Sequence, residues 1–270
     1  MDIARDGTGL ERLRAIMSRL RDPEGGCPWD IEQDFASIAP YTIEEAHEVA
    51  DAIEREAWDE LEGELGDLLL QVVYHAQMAS ERGLFDFDTV AERVARKMWD
   101  RHPHVFGDES NAKSAAQQVA DWEAAKAEER RGRTLDGVAL GLPALMRADK
   151  LQKRAARVGF DWPDSGGAVA KIAEEAAELA DARDRLNQDA REEEMGDLLF
   201  ATANLARHLG VDPEVALRRA NSKFIRRFRS VEDALNARGC SPDQSDLSEM
   251  DALWDAVKAA EKVSDKNNRD

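Results

Sequence analysis

The chain has 270 residues, a formal net charge of −19, 34% charged residues and only 6% aromatics. That charge repels nucleic-acid backbones and anionic membrane surfaces, so a polyanionic ligand has to be met by a local basic cluster or by metal ions. The length favours two modest cores, and Cys27 and Cys240 form neither a CxxC nor a disulfide framework, which suits a reducing compartment.

Apolar residues recurring at helical spacing predict helices over 10–21, 42–56, 58–82, 88–101 and 114–131, then over 143–157, 167–186, 190–209, 213–238 and 247–263. The expected class is all-α, with little or no sheet. Gly83 and Gly210 follow helix patterns as C-terminal stops, and Asp212-Pro213 supplies an N-cap with a first-turn proline. Loops are expected at 22–40, 102–112, 132–142 and 158–166, and the polar tail from Lys262 to Asp270 is expected to fray. The apolar run Leu68 to Tyr74 is too short to span a membrane, and residues 1–20 carry no signal-peptide core, so a cytoplasmic protein with no membrane partner and no nucleic-acid partner is expected.

The chain repeats itself. Glu64-Leu-Gly-Asp-Leu-Leu69 recurs as Glu194-Met-Gly-Asp-Leu-Leu199, and the same offset of 130 residues carries Glu45 to Glu175, Glu48 to Glu178, Glu64 to Glu194 and Asp67 to Asp197. After small slips, Lys97 and Arg101 correspond to Lys223 and Arg227, and Trp122-Glu-Ala-Ala-Lys126 to Trp254-Asp-Ala-Val-Lys258. Two tandem helical-bundle units are therefore expected, 1–135 and 136–270, divided within the Gly- and Arg-containing stretch 130–142.

Each half carries ExxE and then ExxD on consecutive predicted helices. Residues three apart lie about 60° apart on one helix face, so each pair points one way, and four carboxylates brought together repel unless a cation neutralises them. An all-oxygen set suits Mg²⁺, with Mn²⁺ as a substitute, better than zinc. One isolated ExxE is usually a solvated acidic face; two matched copies placed before Gly-Asp-Leu-Leu argue against that. Gly66 and Gly196 each cost a helix about 1 kcal/mol relative to alanine, which close packing beside the acidic pairs would explain, with or without a functional role. A di-iron carboxylate bundle needs Glu-x-x-His twice; Glu44-Glu-Ala-His47 supplies it once and Glu174-Glu-Ala-Ala177 does not. His102-Pro-His104 is a weak metal signal.

Lys223 and Arg227, four apart on one helix face, can grip a polyphosphate, although neighbouring arginines make an ordinary basic face an alternative. Lys171 adds a charge one turn before Glu175, and its first-half counterpart is Tyr41. Trp254, Trp122, Phe160 and Trp162 can stack on a base, but aromatics in such positions are more often core residues. The stripe Leu68, Leu69, Val72, Val73 reads as core or as a dimer seam.

With these motifs, the segments Arg19-Leu-Arg-Asp-Pro-Glu-Gly-Gly-Cys-Pro-Trp-Asp30, Arg101-His-Pro-His-Val-Phe106, Val158-Gly-Phe-Asp-Trp162 and Gly196-Asp-Leu-Leu-Phe200 give the sequence a resemblance over nearly its whole length to the MazG family of nucleoside triphosphate pyrophosphohydrolases. The resemblance implies an all-α homodimer that depends on Mg²⁺ and converts nucleoside triphosphates to monophosphate and pyrophosphate with broad tolerance for the base, a role in cleaning the nucleotide pool. It implies that Glu175, Glu178, Glu194 and Asp197 hold the metal, that Lys171, Lys223 and Arg227 meet the phosphates, with Trp254 beside the substrate, and that one carboxylate, Glu175 or Glu178 being the candidates, activates water. Family members often carry a lysine shortly before ExxD, where Ala190 and Arg191 stand here. The first half, with Glu45, Glu48, Glu64 and Asp67 as a possible metal set and Lys97 and Arg101 as possible phosphate contacts, is expected to be a weaker site or a dimerisation unit. The alternative is a helical module that binds the Mg-nucleotide for regulation without turning it over.

Overall fold

The computed structural model describes residues 7–107, 114, 117–118, 132–185 and 187–267, and among these no residue is in a β-strand. The chain divides into two compact units, Met1–Arg130 and Arg131–Asp270. Most of the predicted helix over 114–131, Trp122 included, lies outside the described residues. No described helix is long and apolar enough to cross a membrane.

In the first unit, α1 (Gly9–Leu20) starts on a reciprocal Thr8–Glu11 capping box. Helix α2 (Pro28–Glu32) and α3 (Phe35–Glu54) follow, then α4 (Trp58–Glu81), α5 (Phe87–Asp100) and α6 (Pro103–Phe106). Helices α3 and α4 make the main packed pair, and α1 and α5 both lean on α4. Met17, Ile38, Val73, Tyr74 and Met78 form the buried core, with Leu13, Phe35, Leu70 and Phe87 against its edge. Arg21 ties the periphery down, giving its guanidinium to Glu81 at 2.7 Å while Tyr74 donates to the Asp30 carbonyl at 3.0 Å.

Within the stretch 22–40 only residues 22–27 and 33–34 lie outside helices. Pro28 opens α2 from the first turn, where its missing N–H costs nothing. Asp34 and Ser37 exchange a capping box that starts α3 at Phe35, well before the predicted start. Pro40 then sits inside the helix, and burial of Ile38 in the core outweighs the loss of one backbone hydrogen bond. The short α6 likewise interrupts the predicted 102–112 loop, again from a first-turn proline. The leucine–valine stripe splits: Val73 is core, whereas Leu69 and Val72 face outward with Leu65.

The second unit comprises α7 (Ala144–Arg157), α8 (Ser165–Arg185), α9 (Gln188–His208), α10 (Pro213–Asn236), a 3₁₀ turn (Pro242–Gln244) and α11 (Leu247–Asn267). Helices α8 and α9 pair as α3 and α4 do; α7 packs on α9 and α10, and α11 on α10. Ala148, Ala168, Ala201 and Ala203 are buried, and side chains this small let the helix axes approach. Asp212 caps α10 by accepting from the Glu214 and Val215 amides, with Pro213 in its first turn. Gly83 and Gly210 close α4 and α9 at φ of 67° and 68°. Helix α11 continues to Asn267, through most of the expected polar tail.

Candidate metal centre

The α8–α9 pair brings the second acidic set together. One oxygen from each of Glu175, Glu194 and Asp197 falls within 4.8 Å of the others, and Glu178 makes a second such group with Glu174 and Glu175. Glu175 belongs to both groups and is 2% exposed, whereas Glu178 and Asp197 are open to solvent. Partial loss of hydration, then the charges of Glu178, Glu175 and Asp197, push the Glu194 carboxyl above the usual carboxylate range. Lys171 Nζ lies 2.5 Å from Glu175 Oε1 and 2.8 Å from Glu174 Oε1, and these bonds hold its ammonium firmly protonated. A crowded all-oxygen donor set with solvent on one side fits a hard divalent cation that keeps some of its water.

The first unit repeats half of this. Oxygens of Glu45, Glu48 and Glu64 gather within 4.8 Å. Glu45 is raised by lost hydration and by Asp67 and Glu48, and Glu64 by lost hydration, Glu48 and Asp67. Tyr41 occupies the position that Lys171 holds in the second unit and is exposed. His47 belongs to none of these groups, and His102 turns Nδ1 to the Met98 carbonyl. The clusters found among the described residues consist of carboxylates alone.

At Gly66 and Gly196 an added Cβ would meet nothing within 4 Å, so close packing within either unit does not account for them. Beside the site, Gly167 is different: a Cβ there would lie 2.4 Å from Trp162 Cγ, so its absence lets the indole lie on the first turn of α8.

The basic residues are placed less simply. Arg227 is held by Glu261, which accepts from Nε at 2.8 Å, and its guanidinium lies 5.7 Å from the Trp254 ring centroid. Trp254 is also tilted against Phe224 at 5.3 Å, in the seam between α10 and α11, so its ring is a packing surface as well as a potential contact. Lys223 is exposed on the same helix. In the first unit Lys97 and Arg101 line a groove along α5 with Arg93 and Arg96, and none of Glu45, Glu48, Glu64 or Asp67 borders it.

A cavity of about 670 Å³ opens beside the second carboxylate set, and Lys171, Glu175 and Asp197 form part of its wall. The rest comes from the α7 face, from Phe160 and Trp162 in the following loop, and from Phe200, Asn204 and Arg207, which continue along α9 from Asp197. Spacing in the sequence identifies the carboxylates and Lys171. It gives no sign of Gln152, which reaches the site only because α7 packs across α9.

The family model for the MazG nucleotide pyrophosphohydrolase domain matches this chain twice, over residues 33–106 and 167–231. The chain belongs to the MazG family. The first MazG match contains Glu45, Glu48, Glu64 and Asp67, and the second contains Lys171, all four second-set carboxylates, Lys223 and Arg227. Similar proteins include the nucleoside triphosphate pyrophosphohydrolase of Escherichia coli K12, 54% identical over 93% of this chain and 98% of the relative. The nucleoside triphosphate pyrophosphohydrolase/pyrophosphatase MazG of Thermotoga maritima is 41% identical over 95% and 98%. Trp254, the aromatic loop and α7 lie outside the two MazG matches, so the cavity wall extends beyond the repeated domain.

Proposed function

We propose that the chain hydrolyses nucleoside triphosphates to the monophosphate and pyrophosphate, with Mg²⁺ as the metal and Mn²⁺ as its substitute, chiefly in the second unit. The observation that carries this reading is that Glu175, Glu194 and Asp197 converge, and that two of them, Glu175 and Asp197, share the wall of one cavity with Lys171. The similarity to the Escherichia coli and Thermotoga maritima nucleoside triphosphate pyrophosphohydrolases supports the reaction class.

A bound divalent cation would neutralise the carboxylates and polarise the α-phosphate. Glu175, Glu178, Glu194 and Asp197 would hold it. Either Glu175 or Glu178 takes a proton from the attacking water as its oxygen bonds to the α-phosphorus; the bond from that phosphorus to the α–β bridging oxygen breaks, and pyrophosphate leaves with the bridging oxygen. Lys171, Lys223 and Arg227 bind the charged phosphates, and orientation of the chain against the metal set supplies most of the remaining rate. The first unit, with three converging carboxylates and Tyr41 at the Lys171 position, is the weaker site. A homodimer is supported by the outward apolar residues Leu65 and Leu69 and their repeat partners Met195 and Leu199, all of which are exposed. A broad-specificity activity of this kind fits removal of unwanted triphosphates from the nucleotide pool.

The test is ion-exchange analysis of products from several NTPs and dNTPs, with MgCl₂ and with EDTA, for the intact chain, Glu178→Ala and Glu48→Ala. Monophosphate plus pyrophosphate, lost in EDTA and in Glu178→Ala but largely kept in Glu48→Ala, is expected. Diphosphate plus phosphate would move the cleavage point, and saturable nucleotide binding without product would turn the chain into a binding module.

A further inference from the structure

Asn204, on α9, is 8% exposed and belongs to the cavity wall. Its Oδ1 accepts from Arg207 Nε at 2.9 Å, so turning the amide over would set two donors against each other. Asn204 Nδ2 is thus fixed as a donor. It has no hydrogen-bond partner among the described residues, and unlike Gln152 Oε1 it is not sealed from water. An enclosed amide that keeps one donor open at a cavity wall is a contact for an acceptor on a ligand.

Its position indicates which ligand. Asp197, Ala201 and Asn204 stand four and then three residues apart on one face of α9, and all three line the cavity. Asn204 therefore lies two turns, roughly 10 Å, beyond Asp197, comparable to the reach from a nucleotide's α-phosphate to the outer edge of its base. Flat apolar surface borders the same space. Phe160 is 82% exposed on a backbone fixed by the turn that closes α7, with Gly159 at φ 84° and the Phe160 amide donating to the Ala155 carbonyl at 3.1 Å. One oxygen of Asp161, the next residue, accepts from both Arg207 Nη2 and the Trp162 amide, which ties the aromatic loop to the helix that carries Asn204. Aromatic faces stack on any base. A fixed donor at the base edge does not treat all bases alike.

We propose that Asn204 Nδ2 reads the outer edge of the nucleobase and favours a carbonyl oxygen there over an amino group. This rests on the proposed nucleotide hydrolysis and deepens it. Guanine, hypoxanthine, uracil and thymine carry an oxygen at that edge, adenine and cytosine an amino group. The oxygen accepts from Nδ2, whereas the amino group sets a donor against a donor that Arg207 keeps from turning over. The site takes every base by stacking and ranks them by this one group.

The experiment measures kcat/KM for ITP against ATP and for UTP against CTP, pairs that differ at that edge, with the full chain and with Asn204→Asp. The substitution keeps an acceptor for Arg207 and puts an oxygen where Nδ2 stood. The intact chain is expected to favour the carbonyl member of each pair by about three- to tenfold, and Asn204→Asp to favour the amino member. Equal use of both members by the intact chain, or an unchanged preference in Asn204→Asp, overturns the proposal. Calorimetric titration of IMP and of AMP into the intact chain in MgCl₂ reads the same contact without hydrolysis and without the variant; IMP is expected to bind more tightly, and equal affinities overturn the proposal. A chain that turned over no nucleotide would refute the hydrolysis reading, while tighter binding of IMP would still support the contact.

Discussion

Lys171 Nζ sits 2.5 Å from the buried Oε1 of Glu175 and bridges on to Glu174, so the most enclosed carboxylate of the metal set has a cation from its own helix. The lysine stands in for part of the charge that a metal brings. Removing it leaves Glu175 buried among Glu178, Glu194 and Asp197 with no counter-charge. In Lys171→Met the metal-free second unit is expected to melt at a lower temperature than in the intact chain. MgCl₂ should then raise the melting temperature more in the variant than in the intact chain. Thermal melts in EDTA and in MgCl₂ measure both, and an unchanged melt in EDTA would remove the lysine's counter-ion role.

The raised carboxyls make stability depend on pH with a definite sign. Glu194 holds its proton more tightly in the folded chain than in the unfolded one. Its contribution to stability is therefore present in full below about pH 4.5 and is lost as pH rises through the elevated folded value. In EDTA, Glu194→Gln is expected to be more stable than the intact chain at pH 7 and no more stable at pH 4.5. In MgCl₂ the order at pH 7 should reverse, because the variant has lost a ligand. Urea unfolding at the two pH values decides this, and a pH-independent difference in EDTA would contradict it.

Arg227 gives a prediction about binding rather than turnover. Glu261 holds Arg227 and Arg226, and the two guanidiniums pull the Glu261 carboxyl down to about 2. The pair thus persists at neutral pH and is lost only as pH falls from about 4.5 towards 2. A guanidinium fixed by a carboxylate and by the Trp254 ring loses little further freedom when it meets a phosphate. Glu261→Gln is expected to raise KM for ATP by roughly three- to tenfold with kcat nearly unchanged. A fall in KM would mean that Glu261 competes with substrate for the arginine.

The acidic motifs were legible because a helix converts spacing into direction: residues three apart must share a face, and the 130-residue repeat doubles the signal. Helix ends marked by Asp212-Pro213 and by Gly83 and Gly210 were legible for a similarly local reason. Apolar spacing places the start of α3 too late, at 42, because the Asp34–Ser37 cap and the burial of Ile38 carry the helix across Pro40. The joining of these residues into one cavity could not be read. Gln152 and Phe200 are 48 positions apart and meet by a side-chain bond across two helices, and the engagement of Arg227 by Glu261 is likewise a product of α10 meeting α11.

Two glycines close to the site should answer an alanine in opposite ways. At Gly196, within α9 and next to Asp197, a Cβ meets nothing within 4 Å, so Gly196→Ala removes backbone freedom from the unfolded chain without a clash. A gain of about 0.5–1 kcal/mol is expected, readable as a higher melting temperature in EDTA. At Gly167 the same methyl would fall 2.4 Å from Trp162 Cγ, far inside contact distance, and the indole would have to leave the first turn of α8. Trp162 lines the cavity, so Gly167→Ala should shift tryptophan emission and raise KM for nucleotides while the helices stay folded. If Gly196→Ala instead melts lower, some surface covers that face of α9, and sedimentation of the intact chain would tell whether that surface is a second copy.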